Sequence, residues 1–82
     1  DFFSFLCGPC KMQGPILEQL KNEVGDKANV VKVDIDKNQA LAAQYRVQSV
    51  PTLILFKAGQ PVWRTAGLQQ GDTLKAVIEQ NM

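Results

Sequence analysis

Histidine is absent, cysteine occurs only at positions 7 and 10, and aromatic residues make up 7% of the 82. Without histidine the chain has no Ser–His or Cys–His pair, and it lacks the usual general base and the usual zinc ligand. One cysteine pair cannot supply the several bridges on which small secreted scaffolds depend. Any sulfur chemistry therefore belongs to a single vicinal dithiol. Charge of one sign is nowhere concentrated: nine Lys or Arg against eight Asp or Glu give a net +1, and no two like charges adjoin. That scatter points away from a nucleic-acid or acidic-lipid partner. The longest apolar stretch, around Thr52-Leu53-Ile54-Leu55-Phe56, is far shorter than a membrane span requires. No signal-peptide pattern opens the chain, and a start at Asp1 instead of Met fits a processed end. A composition 45% hydrophobic and 21% charged argues against disorder, and the length suits one domain over residues 1–82.

What is present reads as alternating elements. Asp1–Leu6 is short, aromatic and apolar on both faces, like a buried strand with Phe2, Phe3 and Phe5 in the core. It leads into Cys7-Gly8-Pro9-Cys10, where Pro suits the first turn of a helix. Met12, Ile16, Leu17, Leu20 and Val24 recur at helical spacing until Gly25-Asp26, and Pro15 predicts a kink. Asn29–Asp36 is rich in β-branched residues and reads as a strand. Asn38–Tyr45 reads as a short helix, with Asp36 or Asn38 as its cap and Tyr45 at the core edge. Thr52–Lys57 and Val62–Ala66 form a hairpin about Ala58-Gly59-Gln60-Pro61, with Trp63 partly buried. Leu68–Asn81 carries a last amphipathic helix through Leu74, Val77 and Ile78. Arg46, Lys57 and Arg64 read as isolated solvated charges. The order β-α-β-α-β-β-α predicts an α/β fold, a mixed four-stranded sheet with helices on both faces. Its first three strands should be parallel and its last pair antiparallel.

The dithiol has a physical logic of its own. A strand that ends in Cys-Gly-Pro-Cys and opens a helix puts Cys7 at the helix N-terminus, where free N–H groups and the macrodipole favour a thiolate. Cys10, three residues on, shares that helical face, so the pair can cycle between dithiol and disulfide. Three plainer readings compete: a metal site pooled by two chains, an inert structural disulfide, and a buried inert thiol pair. A zinc site within one chain would need four ligands where two thiolates and no histidine are offered. The strand–CxxC–helix context favours the redox reading.

These residues resemble the thioredoxin family. Cys7-Gly8-Pro9-Cys10-Lys11 with Met12 and Pro15 looks like the family's active-site segment. Val50-Pro51-Thr52 followed by Leu53-Ile54-Leu55-Phe56-Lys57 and Gly59 looks like its second signature. Val33-Asp34-Ile35-Asp36-Lys37-Asn38 and the ending from Gly67 to Ile78 also fit, so the likeness spans the chain. It implies a thioredoxin-like fold that lacks the first strand and helix of the full family fold, a cis Val50-Pro51 bond beside the dithiol, and no bound cofactor or metal. It further implies that Asp1, with Lys32, handles the proton of Cys10. Leu6, Gly8, Pro9, Val50, Pro51 and Gly67 would line a shallow surface that meets partner proteins. Leu6 stands where the family nearly always has Trp, which removes one aromatic wall.

The expected function is protein-disulfide reduction, with Cys7 as nucleophile and Cys10 resolving the mixed disulfide. Gly8-Pro9 adds no charge to stabilise the thiolate, which favours a reductant over an oxidase. Electrons would come from a reductase of the thioredoxin-reductase type, and the substrates would be disulfide-bonded proteins. The alternatives are a non-catalytic interaction subunit on the same scaffold, and a dimer sharing a metal or iron–sulfur site through both cysteines. An exposed edge at Val30–Ile35 and an uncovered apolar face predict pairing into a homodimer. A reductant fits the cytoplasm, with the periplasm as the alternative where a leader has been removed.

Overall fold

Leu17, Leu20 and Val24 lie three and four residues apart, so a helix brings them onto one face. In the computed structural model, which describes residues 1–82, they are buried together with Leu53 of a central strand and Leu74 of the last helix. The elements around this core are β1 (Phe2–Phe3), α1 (Gly8–Val24), a single 3-10 turn (Gly25–Lys27), β2 (Val33–Asp34), α2 (Gln39–Gln44), β3 (Thr52–Lys57), β4 (Gln60–Ala66) and α3 (Gly71–Gln80). The strands form one mixed sheet in the order β2-β1-β3-β4. α1 and α3 pack against Leu53 on one face. Phe2 is paired with Thr52, the strand neighbour of Leu53, and meets Tyr45 at the end of α2 with ring centroids 6.3 Å apart. Since successive strand residues point to opposite faces, α2 covers the other side.

The element order is the expected one, but the direction of β3 is not. β1 and β2 are parallel, whereas β3 is antiparallel to β1 as well as to β4. The reason lies in helix length. α1 has 17 residues, about 25 Å at 1.5 Å per residue, enough to carry the chain back along the sheet. α2 has six, about 9 Å, so the chain enters β3 from the end at which β2 left.

Both leading strands are also shorter than their apolar runs. After Phe3 the chain turns on Ser4, whose carbonyl accepts from Cys7 N–H at 3.1 Å and whose hydroxyl donates to Asp36 Oδ2 at 3.0 Å. The chain leaves β2 after Asp34, whose Oδ1 accepts from Asp36 N–H at 2.8 Å and whose carbonyl accepts from Asn38 Nδ2 at 3.0 Å. Such local side-chain bonds compete with the ladder and end it. Asn38 is thus spent on Asp34, and neither it nor Asp36 caps α2 through its side chain.

Several side chains sit elsewhere than expected. Phe5 is 65% exposed, outside the core, with its ring edge-on to the half-buried Phe3. Met12 is exposed, and its neighbour Gln13 is fully buried in its place. α1 continues through Pro15. α3 begins at Gly71 instead of Leu68. Arg64 is no isolated charge: its guanidinium donates to the carbonyls of Tyr45 and, at 2.8 Å, of Arg46. The hairpin forms, but its turn is tighter than expected: Gln60 and Pro61 already pair within β4, and the chain reverses on Ala58 and Gly59 alone, both at positive φ (53° and 78°), the backbone of a two-residue type I′ turn.

Leu20→Ala should lower unfolding stability by about 2–5 kcal/mol, because it opens a cavity where α1 meets the core. Phe5→Ala should stay within about 0.5 kcal/mol. Urea unfolding measures both, and similar losses for the two variants would contradict this division between core and surface.

Candidate active site

Cys7 is the N-cap of α1. Its backbone is extended (φ −88°, ψ 116°), and its sulfur accepts the Cys10 N–H at 3.1 Å. The sulfur thus occupies the place where a Ser, Thr or Asp oxygen ordinarily satisfies a first-turn amide. Pro9, which has no N–H, sits in that first turn, and no acidic side chain is present there. The positive end of the helix therefore faces Cys7 alone. Cys7 and Cys10 are joined as a disulfide with Cα atoms 5.2 Å apart. Cys7 is half-buried, while Cys10 retains 6% exposure.

A second segment meets the first from the start of β3. The carbonyl oxygen of Val50 lies 3.5 Å from Cys7 Sγ, where a reduced thiol would donate to it. The Val50-Pro51 peptide is cis, as the resemblance implied. Thr52, fully buried, donates its hydroxyl to the Ser49 carbonyl at 2.7 Å and closes this turn from below. A third segment follows β4: Gly67 N–H donates to the Pro51 carbonyl at 2.8 Å, with Gly67 at φ +92°. That φ lies in the region an L side chain adopts only under strain.

Of the surface residues expected around the dithiol, Leu6 (95% exposed), Gly8 and Pro9 are open to solvent. Val50 and Gly67 are half-buried. Pro51 is the correction. Its ring is fully buried and its carbonyl is occupied by Gly67, so it supports the surface from beneath and does not line it.

Asp1 and Lys32 are brought to adjoining positions but not into contact. Both carboxylate oxygens of Asp1 are buried without a hydrogen-bond partner. The Lys32 ammonium sits instead 4.9 Å over the Phe3 ring and 3.6 Å from where a Cβ on Gly14 would stand. It is still close enough to be felt at Asp1. Burial first, and the Lys32 charge second, lower the α-amino group there from 8.0 to about 6. That group donates to the Val31 carbonyl at 2.9 Å. No three of the Cys, Asp or Glu side chains converge, so a shared metal would need thiolates from two chains.

One buried polar residue escaped the sequence reading. Gln13 donates from Nε2 to the Gln69 carbonyl at 3.0 Å, and its Oε1 accepts the Gln69 N–H at 2.8 Å. A signal existed: Cys10, Gln13, Leu17, Leu20 and Val24 are spaced 3-4-3-4, one continuous helical face. Amide polarity hid a core position.

Strand, N-capping cysteine, helix and an adjacent cis-proline define a dithiol–disulfide exchange centre. A sequence model of the thioredoxin family matches residues 1–80. The chain is 46% identical to a thioredoxin of Staphylococcus saprophyticus over all 82 residues, which covers 79% of that protein. It is 53% identical over 74 residues to a thioredoxin-like protein of Synechocystis, covering 90% of this chain and 70% of that one. Among solved structures, a thioredoxin variant from Halobacterium salinarum matches with a TM-score of 0.91 and 48% identity, over 98% of this chain and 69% of that one. A thioredoxin-2 of the malaria parasite matches with 0.93 and 34%, over 96% of this chain and 77% of that one. The chain belongs to the thioredoxin family. Its activity is thiol–disulfide exchange through the Cys7–Cys10 pair, and family membership implies, in general, disulfide-containing protein substrates and a reductase as electron donor.

Once the disulfide is reduced, the half-buried Cys7 should be alkylated by iodoacetamide at least about tenfold faster than the buried Cys10. Tandem mass spectrometry of the labelled peptide reads the ratio, and equal labelling would contradict the assignment of Cys7 as the accessible sulfur.

Proposed function

We propose that the chain works in the reducing direction, with Cys7 as attacking thiolate. The observation that carries this reading is an accessible sulfur at the start of α1, capped only by the Cys10 N–H and flanked by the uncharged Gly8 and Pro9. No neighbouring charge holds the thiolate so firmly that the reduced form becomes unreactive. Cys7 attacks one sulfur of the substrate disulfide, that S–S bond breaks, and the departing substrate thiolate takes up a proton. Cys10 then gives up its proton and attacks Cys7 Sγ in the mixed disulfide, releasing the second substrate sulfur as a thiol. Two electrons pass from the chain to the substrate, and the Cys7–Cys10 disulfide remains. The buried, unpartnered Asp1 carboxylate is the group we assign to accept the Cys10 proton, with the Lys32 charge nearby. Substrate backbone lies against Val50 and Gly67, and Leu6, Gly8 and Pro9 form the exposed rim.

A partner reading and a reading of location accompany this. An open apolar cleft of about 900 Å³, bordered by Phe2, Val30, Leu55, Trp63 and Val77, supports association of two copies. Light scattering at high concentration should give twice the monomer mass, and a monomer would count against it. A reductant also suits the cytoplasm, where thiols are kept reduced.

Cys7→Ser should abolish reduction of a disulfide-bonded protein such as insulin, whereas a scaffold with an idle dithiol would keep its partner binding. Cys10→Ser should accumulate the mixed disulfide. The pair should equilibrate with dithiothreitol at a potential below the glutathione poise of roughly −220 to −260 mV. A clearly higher value would assign the chain to oxidation instead.

A further inference from the structure

The mechanism above leaves the buried Gln13 unused. Its side chain is fully buried, with no contribution to the surface, and both atoms of its amide are committed to the backbone of one residue, Gln69. The pairing resembles one rung of a β-ladder made by a side chain. It ties α1, one turn beyond Cys10, to the segment that links β4 to α3. That segment begins at Gly67, whose N–H holds the Pro51 carbonyl, and Val50 in turn lies 3.5 Å from Cys7 Sγ. The Gln69 side chain reaches back to the Thr65 hydroxyl at 3.4 Å, so the segment is anchored on both sides. The contacts form a closed circuit: Cys7, Val50-Pro51, Gly67, Gln69, Gln13 and, through one turn of helix, Cys10.

We propose that Gln13 is a positioning residue for substrate. It holds the Gly67–Gln70 segment in register with the dithiol, and so sets how well an extended protein segment seats beside Cys7. The inference rests on the reading that Val50 and Gly67 meet the substrate. Physical asymmetry supports it. A buried amide is costly to keep without partners, and its two bonds satisfy the Gln69 N–H and carbonyl, which have no other hydrogen-bond partner. The thiol chemistry itself uses Cys7, Cys10, the helix terminus and the Asp1 carboxylate, and the Gln13 amide bonds to none of them. A small disulfide reagent, which has no extended backbone, should not sense the segment.

The test is a split between substrates. Gln13→Met keeps volume and flexibility but removes both bonds. For insulin reduction the KM should rise by about five- to tenfold, the loss of roughly one net hydrogen bond, with kcat nearly unchanged. Turnover of 5,5′-dithiobis(2-nitrobenzoate) and the potential of the Cys7–Cys10 pair should stay at wild-type values. An equal fall with both substrates, or a shifted potential, would overturn the proposal in favour of a general structural role. An unchanged insulin KM in a folded variant would also overturn it. Amide exchange in the wild-type chain serves if the variant does not fold: Gln69 N–H should exchange as slowly as the amides of α1. Exchange at the rate of an exposed loop would remove the clamp. A wild-type chain inactive on insulin would instead refute the parent reading of the site, and the exchange rate at Gln69 would still judge the clamp by itself.

Discussion

The hydrogen bond from Cys10 N–H to Cys7 Sγ is the constraint on which the site depends. It makes the reactive atom the first partner of the helix, so whatever fixes α1 also fixes the sulfur. α1 is fixed by its apolar face: Leu17, Leu20 and Val24 are buried against Leu53 and Leu74. The hydrophobic effect acts without direction. Here it is converted into a directed arrangement because the helix is rigid and starts at the sulfur. Burial of Cys10 follows from the same geometry, since it sits on the inward face while Cys7 stands at the rim.

The site is assembled from three segments far apart in sequence, and their joints are backbone bonds. Val50 offers its carbonyl to Cys7, Pro51 offers its own to Gly67, and Gly67 can answer because its φ is positive. The fold's part is to bring the start of β3 and the end of β4 to the same level as the start of α1. The antiparallel pairing of β3 with β4 does this directly, since Thr52 at the head of one strand is registered opposite Ala66 at the tail of the other.

Much of this was legible in the residues. Element order followed from periodicity, and Cys7-Gly8-Pro9-Cys10 disclosed both the helix start and the chemistry. What stayed hidden was decided by partners distant in the chain. Gln13 gave no apolar signal, and its burial depends on the Gln69 backbone opposite it. Arg64 looked solvated, although two carbonyls at the end of α2 await it. Phe5 carries the composition of a buried strand, yet Ser4 turns the chain one residue before it and leaves the ring outside. The direction of β3 depended on the length of α2 relative to the sheet, a property of several elements together. Asp1 and Lys32 lie at adjoining positions with no bond between them, because the Lys32 ammonium rests over the aromatic face of Phe3 instead.

The anchoring of the stretch from Tyr45 to Thr52 has a consequence for recognition. Arg64 holds the carbonyls of Tyr45 and Arg46 at one end, and the Thr52 hydroxyl holds the Ser49 carbonyl at the other. The backbone that carries Val50 is therefore taut before any partner arrives. Most of its conformational entropy has already been surrendered during folding, so little is lost when a second chain lies against it. An arginine on the hairpin, remote from the sulfur, thereby helps to fix the backbone beside it before any partner arrives.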